Sequence, residues 1–398
     1  MSESIHGSDV VVLAGARTPF GKINGALAGL TAAQLGGHAI EAALQRSGLE
    51  VDDVDAVILG QAIQAGAGQN PARQSAIAAG LGWDIPAVTL NKVCLSGLTA
   101  IIDAARLIAT GEALVVVAGG QESMTNAPHL LPGSRQGWPY GSVSTLDTVA
   151  HDGLTDAFDG VSMGASTETA LQSLDISRAA QDEVAALSHS RAAASADLLA
   201  EEIVGVAAPA RRGPATPVDT DQGVRPGTTM ESLARLCPAF EPQGTITAGN
   251  ASQLTDGAVA VVVTTRAEAE RRGLPFLAVV GAWGQVAGPD NSLPSQPARA
   301  IQQALDRARL DRSDLDLIEI NEAFAAVVVQ SLRELDYPLE QTNIHGGALA
   351  LGHPLGASGA RLALHAAYEL RRRGGGRAAV GLCGGGGQGE ALLLQVGS

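Results

Sequence analysis

The stretch Asn91-Lys92-Val93-Cys94-Leu95-Ser96-Gly97 lies where a strand-like run, Ala87-Val88-Thr89-Leu90, gives way to an amphipathic helix. Beyond Leu95 the apolar residues Leu98, Ile101, Ile102, Ala105 and Ile108 recur at the three-and-four spacing of one helical face, and Gly111 closes the pattern. The junction places a thiol, Cys94, at a helix N-terminus. Free backbone N–H groups and the positive end of the helix dipole favour thiolate over thiol there, and the thiolate is the nucleophilic form. Taken alone, the stretch also fits a buried cysteine serving as a small hydrophobe.

The strand and helix signals continue on both sides. Upstream are a strand from Val10 to Ala14, a helix from about Thr31, its N-cap, to Gly48, a strand from Val54 to Leu59, and a helix that Pro71 starts and Ala79 ends. Downstream, a strand from Ala113 to Ala118 ends in Gly119-Gly120. Residues 124 to 249 then change texture, with loops rich in Pro, Gly and Asp, two helix candidates (Met163 to Leu174, Arg178 to Leu199) and several arginines, of which Arg211, Arg212 and Arg235 read as a solvated face. The alternation resumes with strands Gly257 to Thr264 and Leu277 to Gly281, helix Pro297 to Arg309, strand Leu315 to Ile320, helices Glu322 to Leu335 and Ala357 to Arg372, and strand Ala378 to Leu382. Alternating strands and helices make this an α/β protein with helix-covered sheets.

The second half reads as a worn copy of the first. Val51 to Gln61 aligns without gaps with Arg312 to Glu322, each a polar turn followed by an apolar strand. Nearly the same offset places Gly97 and its helix opposite Gly359 and its helix, and Cys94 opposite the segment His353 to Gly356. Two such halves around a pseudo-twofold axis would bring Cys94 and His353 to one central site.

Composition narrows the function. The chain has 398 residues with 45% hydrophobic content, enough for two or three domains with a large core. The 26 Lys and Arg against 41 Asp and Glu give a formal charge of −15, which argues against bulk attraction to nucleic acid or anionic membrane. Three cysteines without a Cys-x-x-Cys pair make neither a disulfide framework nor a metal site, and fit a reducing, cytoplasmic setting. Met1 to Asp9 is polar without an apolar signal core, no apolar run is long enough to span a bilayer, and the C-terminal Gln-Val-Gly-Ser is no peroxisomal address.

Four segments carry chemistry: Cys94; Asn321-Glu322-Ala323-Phe324-Ala325 at the end of a buried strand; Asn343 to Gly359 with His345 and His353; and Cys383-Gly384-Gly385-Gly386-Gly387-Gln388-Gly389, a run exposing many N–H groups. With Gly15-Ala16-Arg17-Thr18-Pro19, Gln64 to Gln74, Gly119 to Met124 and Thr247 to Ser252, they form an ordered set over nearly the whole chain. This set resembles the thiolases, specifically the acetyl-CoA acetyltransferases.

The resemblance implies a thiolase fold: two similar α/β halves around a pseudo-twofold axis with an inserted loop domain. Residues 1–123 with 250–274 would form the N-terminal half, 124–249 the loop domain over the active site, and 275–398 the C-terminal half. It implies a two-step acyl transfer in which Cys94 carries the acetyl group, His353 helps draw off its proton and Cys383 deprotonates the second acetyl-CoA. His353 with a water held by Asn321 would serve the enolate oxygen, and the backbone N–H groups of Cys94 and Gly385 the tetrahedral intermediate. Leu154, Met163, Arg225, Ser232, Ala248 and Ser252 match the positions that bind coenzyme A, with Arg225 toward the nucleotide end and Ser252 toward the pantetheine amides. No metal or resident cofactor is implied, only coenzyme A thioesters as substrates, and a homotetramer is expected.

Three positions depart from the family pattern: Leu95 where a small residue is usual, His345 where Asn is usual, and Ser162 where many biosynthetic members have His near the acyl pocket. Cys237 matches no catalytic position. The rival within the class is a degradative 3-ketoacyl-CoA thiolase of fatty-acid β-oxidation with a broader chain-length range. A fatty-acid-type condensing enzyme would pair its cysteine with two histidines, and a silent acyl-CoA-binding protein would not fill all four catalytic positions.

Overall fold

In the computed structural model, residues 9–209 and 214–397 are described, so Arg211 and Arg212 lie outside them. Nine strands and the two-residue piece Gly21–Lys22 form one large sheet. The strands are β1 (Val10–Arg17), β2 (Ala56–Gly60), β3 (Ala87–Leu90), β4 (Val116–Ser123), β5 (Thr255–Thr265), β6 (Ala278–Ala287), β7 (Leu317–Ile320), β8 (Gly376–Gly384) and β9 (Gln388–Val396). β1, β4 and β7 are buried along their whole length and β5 in all but its last residue, the pattern of strands covered on both faces.

The pairing repeats the internal symmetry. Outward from β1 come β5 and β4, each antiparallel to its neighbour, and then β2 and β3, both parallel. Outward from β6 come β9 and β8, again antiparallel, then β7 in parallel, and finally a parallel bridge between Ile318 and Thr342 that takes the place of β3. The two halves differ from separate sheets in one respect: β1 and β6 pair directly, antiparallel, through Val11 with Val279 and Val12 with Ala278.

Two helices occupy equivalent places, α2 (Ser96–Ala109) after Cys94 and α7 (Leu355–Arg373) after His353. They cross at glycines. A Cβ on Gly97 would stand 2.7 Å from the Gly356 carbonyl oxygen, and one on Gly359 2.6 Å from the Leu98 nitrogen, so only glycine permits this approach. Side-chain alternation on β4 divides the cores: Val116 and Ala118 pack with α2 and α7, while Val117 joins the core under α1 (Ala32–Ser47). Fully burying each of Leu98, Ile101 and Ile102 contributes about 1.5–3 kcal/mol relative to exposure.

Local signals behaved as their chemistry dictates. Thr31 and Gln34 form a capping box on α1, and Gly48 ends it in the left-handed conformation. Pro71 stands at the start of the helix Pro71–Ala78. The helix expected from Arg178 to Leu199 is interrupted at Ser195, between Arg178–Ala194 and Ala196–Ala200. Sequence reading missed β9, although Ala391-Leu392-Leu393-Leu394 is a plain apolar run, and it ended β4 at the glycines that the strand passes through. Among the described residues, 124–254 add no strand to the large sheet; their short hairpins, His129–Leu130 with Leu146–Asp147 and Val206–Ala208 with Thr216–Val218, stand apart from it.

Candidate active site

The N-termini of α2 and α7 and the turn between β8 and β9 meet at one point. Cys94, His353, Cys383, Gly384 and Gly385 line a compartment of about 50 Å³, closed by apolar side chains that include Leu154, Met163, Leu293, Phe324 and Leu355. A cavity of about 560 Å³ opens from it, sharing Leu154, Met163, Ser252, Ala323, Phe324, His353 and Leu355 as walls.

Cys94 directly precedes Leu95, the N-cap of α2, and follows Val93, whose φ of +52° puts a β-branched residue in the left-handed region. Such backbone costs about 1–3 kcal/mol and persists only when its surroundings hold it. Asn91 Oδ1 accepts from Val93 N at 3.0 Å, and Ser96 Oγ accepts from Lys92 N at 2.8 Å and donates to Val93 O at 2.6 Å. Gly385 lines the same compartment as Cys94, and the backbone N–H groups of Cys94 itself and of Gly385 both favour the thiolate. Gly385 lies in the turn after β8, where Gly386 and Gly387 have φ of +79° and +66°, values that glycine adopts freely.

The thiol is nonetheless not poised as thiolate, contrary to the expectation from its helix-end position. Burial among apolar walls pushes it up to about 12, and the nearby Glu122 carboxyl adds to the rise, outweighing the two N–H groups. Cys94 itself is half-buried and lines the small compartment. Cys383, fully buried beside Cys94, is pushed up by desolvation and by the neighbouring sulfur. His353 is held down to about 4, first by burial and then by Arg361. The resting site is therefore neutral: two thiols and an imidazole.

The imidazole is oriented. Ser358 donates its hydroxyl to Pro354 O at 3.0 Å, so it accepts from His353 Nδ1–H at 2.5 Å, which leaves Nε2 as the bare nitrogen. Asn321, just past the end of β7, donates from Nδ2 to that Nε2 at 3.4 Å, and its Oδ1 has no protein partner among the described residues. Ser358 and Glu122 lie within the segments Asn343 to Gly359 and Gly119 to Met124, but no signal in the sequence assigns either a role. Glu122 accepts from the N–H groups of Ala62, Ile63 and Gly356, tying the loop after β2 to the first turn of α7, and burial pushes its carboxyl up to about 7.

Of the six coenzyme A candidates, Leu154, Met163, Ala248 and Ser252 line the larger cavity. Arg225 and Ser232 do not. The Arg225 guanidinium lies 3.2 Å from His189 Nε2, and Ser232 sits exposed in the one-turn helix Met230–Ala234, donating to Thr229 O at 2.7 Å. The departures are placed as well. Leu95 is fully buried under Gly384, whose Cβ would come within 2.7 Å of it, so the larger side chain fills the space that a glycine left. His345 is a wall of neither cavity and lies 3.1 Å from His365. Ser162 lines the large cavity and caps the helix Met163–Leu171 by accepting from Ala165 N. Among the described residues no group of three or more His, Cys, Asp or Glu side chains is arranged to hold a metal ion.

Two thiols, an oriented imidazole and backbone N–H donors at one compartment are the equipment of acyl transfer through a covalent thioester. Comparison with known proteins agrees. Residues 10–267 match the family model described as "Thiolase, N-terminal domain" and residues 274–396 the one described as "Thiolase, C-terminal domain". The chain is 53% identical to a probable acetyl-CoA acetyltransferase of Mycolicibacterium smegmatis, over 97% of this chain and 100% of that protein. It is 53% identical to a protein of the same description from Mycobacterium tuberculosis, over 97% and 99%. It is 45% identical to the acetyl-CoA acetyltransferase of Cupriavidus necator, over 98% and 99%. With both halves matched end to end and the four chemistry-bearing segments folded onto one site, the chain belongs to the thiolase family.

Proposed function

We propose that this chain is an acetyl-CoA C-acetyltransferase, condensing two acetyl-CoA to acetoacetyl-CoA and free coenzyme A, or running the reverse thiolysis. The observation that carries the reading is the convergence of Cys94, His353 and Cys383 on one small compartment that Gly385 also lines. Relatives described as acetyl-CoA acetyltransferases along the whole length support it.

In this proposal the Cys94 proton passes to the bare Nε2 of His353 as sulfur attacks the thioester carbonyl. The oxyanion forms where the N–H groups of Cys94 and Gly385 converge, one such donor typically lowering the barrier by about 3 kcal/mol. The departing coenzyme A thiolate takes the Cys383 proton, leaving a Cys383 thiolate beside a His353 imidazolium. That thiolate removes a methyl proton from the second acetyl-CoA, while His353 Nε2–H and a water held by Asn321 meet the enolate oxygen. The carbanion attacks the acetyl carbonyl, and Cys94 leaves with the proton that His353 returns. Every group ends as it began, and no step calls on a metal or a resident cofactor.

The compartment of about 50 Å³ at Cys94 favours a short acyl end over the long chains of the degradative alternative, and a 560 Å³ cavity falls within the usual range for a small-molecule site, here the pantetheine arm. Residues 124–249 form the cover, with Leu154, Met163 and Ala248 along the arm, joined there by Ser252 of the N-terminal half, and Arg225 and Ser232 at the outer, nucleotide end. A homotetramer in the cytoplasm, acting in fatty-acid metabolism, completes the proposal. Assembly is supported by β3 at the end of the sheet with Val88 exposed and by Trp138 and Tyr140 exposed between residues 131 and 146. No described helix is long and apolar enough to cross a membrane.

The test is radiolabelled acetyl-CoA followed to a Cys94 peptide, with rates on acetoacetyl-CoA compared with those on longer 3-ketoacyl-CoA. Label absent from Cys94 would overturn the mechanism, and faster turnover of long chains would favour the degradative alternative.

A further inference from the structure

Glu390 is a fully buried carboxylate outside the catalytic set, and its partners bracket the nucleophile. Lys92 Nζ, two residues before Cys94, donates to Oε1 at 3.0 Å. Thr99 Oγ1, five residues after Cys94 and inside α2, donates to Oε2 at 2.5 Å. Gln285 Nε2 from β6 also donates to Oε1, and Arg106 on α2 holds Gln285 Oε1 at 2.9 Å. Glu390 itself pairs across the β8–β9 hairpin with Leu382, next to Cys383, and the same hairpin closes at Gly384 and Gln388 around the turn that holds Gly385. One carboxylate thus links the turn carrying Cys94 to the hairpin carrying Cys383 and the Gly385 N–H. The turn it grips contains the left-handed Val93, backbone that relaxes unless it is held.

We propose that Glu390 is a positioning residue which, through Lys92 and Thr99, sets the separation between the Cys94 sulfur and the Gly385 N–H donor. It touches neither substrate nor the reacting atoms. The inference rests on Cys94 being the acyl carrier. Its consequence is selective: attack on a thioester carbonyl needs the sulfur and the Gly385 donor in register for the oxyanion, whereas alkylation of the same sulfur by iodoacetamide forms no oxyanion and feels that donor only through the fraction of thiolate. A misplacement of about 1 Å can cost about 10²-fold in a positioned reaction.

The experiment compares wild type, Lys92→Met, Lys92→Met/Glu390→Gln, Thr99→Val and Thr99→Ser by acetylation from radiolabelled acetyl-CoA and by iodoacetamide alkylation of Cys94 at one pH. Thr99→Val removes the hydroxyl, with its bond to Glu390 and its 3.1 Å contact with Leu95 O, without altering charge or shape and guards against loss of folding in the charge variants. Expected is a loss of at least about tenfold in acetylation and kcat for the Lys92 variants and of several-fold for Thr99→Val. The loss in alkylation should be far smaller than the loss in acetylation, the KM for acetoacetyl-CoA should change little, and Thr99→Ser should restore wild-type behaviour. Acetylation and alkylation falling together, or a lowered melting temperature with unchanged acetylation, would overturn the role of Glu390. An unlabelled wild type would instead overturn the acyl-carrier reading beneath it.

Discussion

Replacing Ser358 by Ala removes the acceptor of His353 Nδ1–H, a 2.5 Å bond between two buried groups, so solvent does not take its place. The bond acts twice: it leaves Nε2 bare in the resting imidazole, and it supports the imidazolium that forms when Cys94 gives up its proton. A hydrogen bond to a charged group contributes about 1.5–3 kcal/mol, and each 1.36 kcal/mol is tenfold in rate. The expected loss in kcat is therefore roughly 10- to 150-fold, in condensation and thiolysis alike, with KM nearly unchanged because Ser358 is not a wall of either cavity. Steady-state kinetics in both directions, with rapid-quench acetylation of Cys94, measures it, and Ser358→Thr, which keeps the hydroxyl, should recover most of the activity. A Ser358→Ala protein within twofold of wild type would show that the imidazole is oriented by something else.

Cys383→Ala should still accept acetyl on Cys94, more slowly, while condensation falls about 10²- to 10⁴-fold for want of the base; near-normal condensation would reduce Cys383 to packing. Because the Cys94 thiol is pushed up to about 12, its alkylation by iodoacetamide, followed by mass spectrometry to separate it from exposed Cys237, should climb about tenfold per pH unit from about pH 7 to 10, and a plateau near neutrality would refute the buried-thiol account. Burial alone would raise the Glu202 carboxyl, but His365 and Arg17 hold it down to about 2, below its ordinary 4.5. A depressed acid contributes stability that is present above its unfolded value and lost as pH falls through the folded one, so urea midpoints should drop from about pH 5 to about pH 2, and Glu202→Gln should flatten that slope.

Local rules account for how much of this molecule was legible early. Thr31, Pro71 and the spacing from Leu98 to Ile108 act within a turn or two of themselves, so caps, helix starts and buried faces follow from the sequence alone. The gapless match of Val51–Gln61 with Arg312–Glu322 likewise foretold two strands, β2 and β7, in equivalent places in the sheet. The family motifs named Cys94, His353, Cys383, Asn321 and Gly385 because those segments are contiguous in the chain.

What waited for the tertiary structure was whatever depends on distant neighbours. The helix-end rule predicted a thiolate at Cys94, but the walls that desolvate it come from Leu154, Met163, Phe324 and Leu355, far apart in sequence, and desolvation exceeds what two N–H groups return. The direct pairing of β1 with β6, the grip of Glu390 on both flanks of the nucleophile and the placing of Arg225 beside His189 rather than on the cavity are contacts between residues 36 to 298 positions apart. A sequence states which groups are present and how each short segment prefers to fold; the charge that a buried group carries is decided only when the chain closes around it, because solvation is a property of the whole surrounding volume.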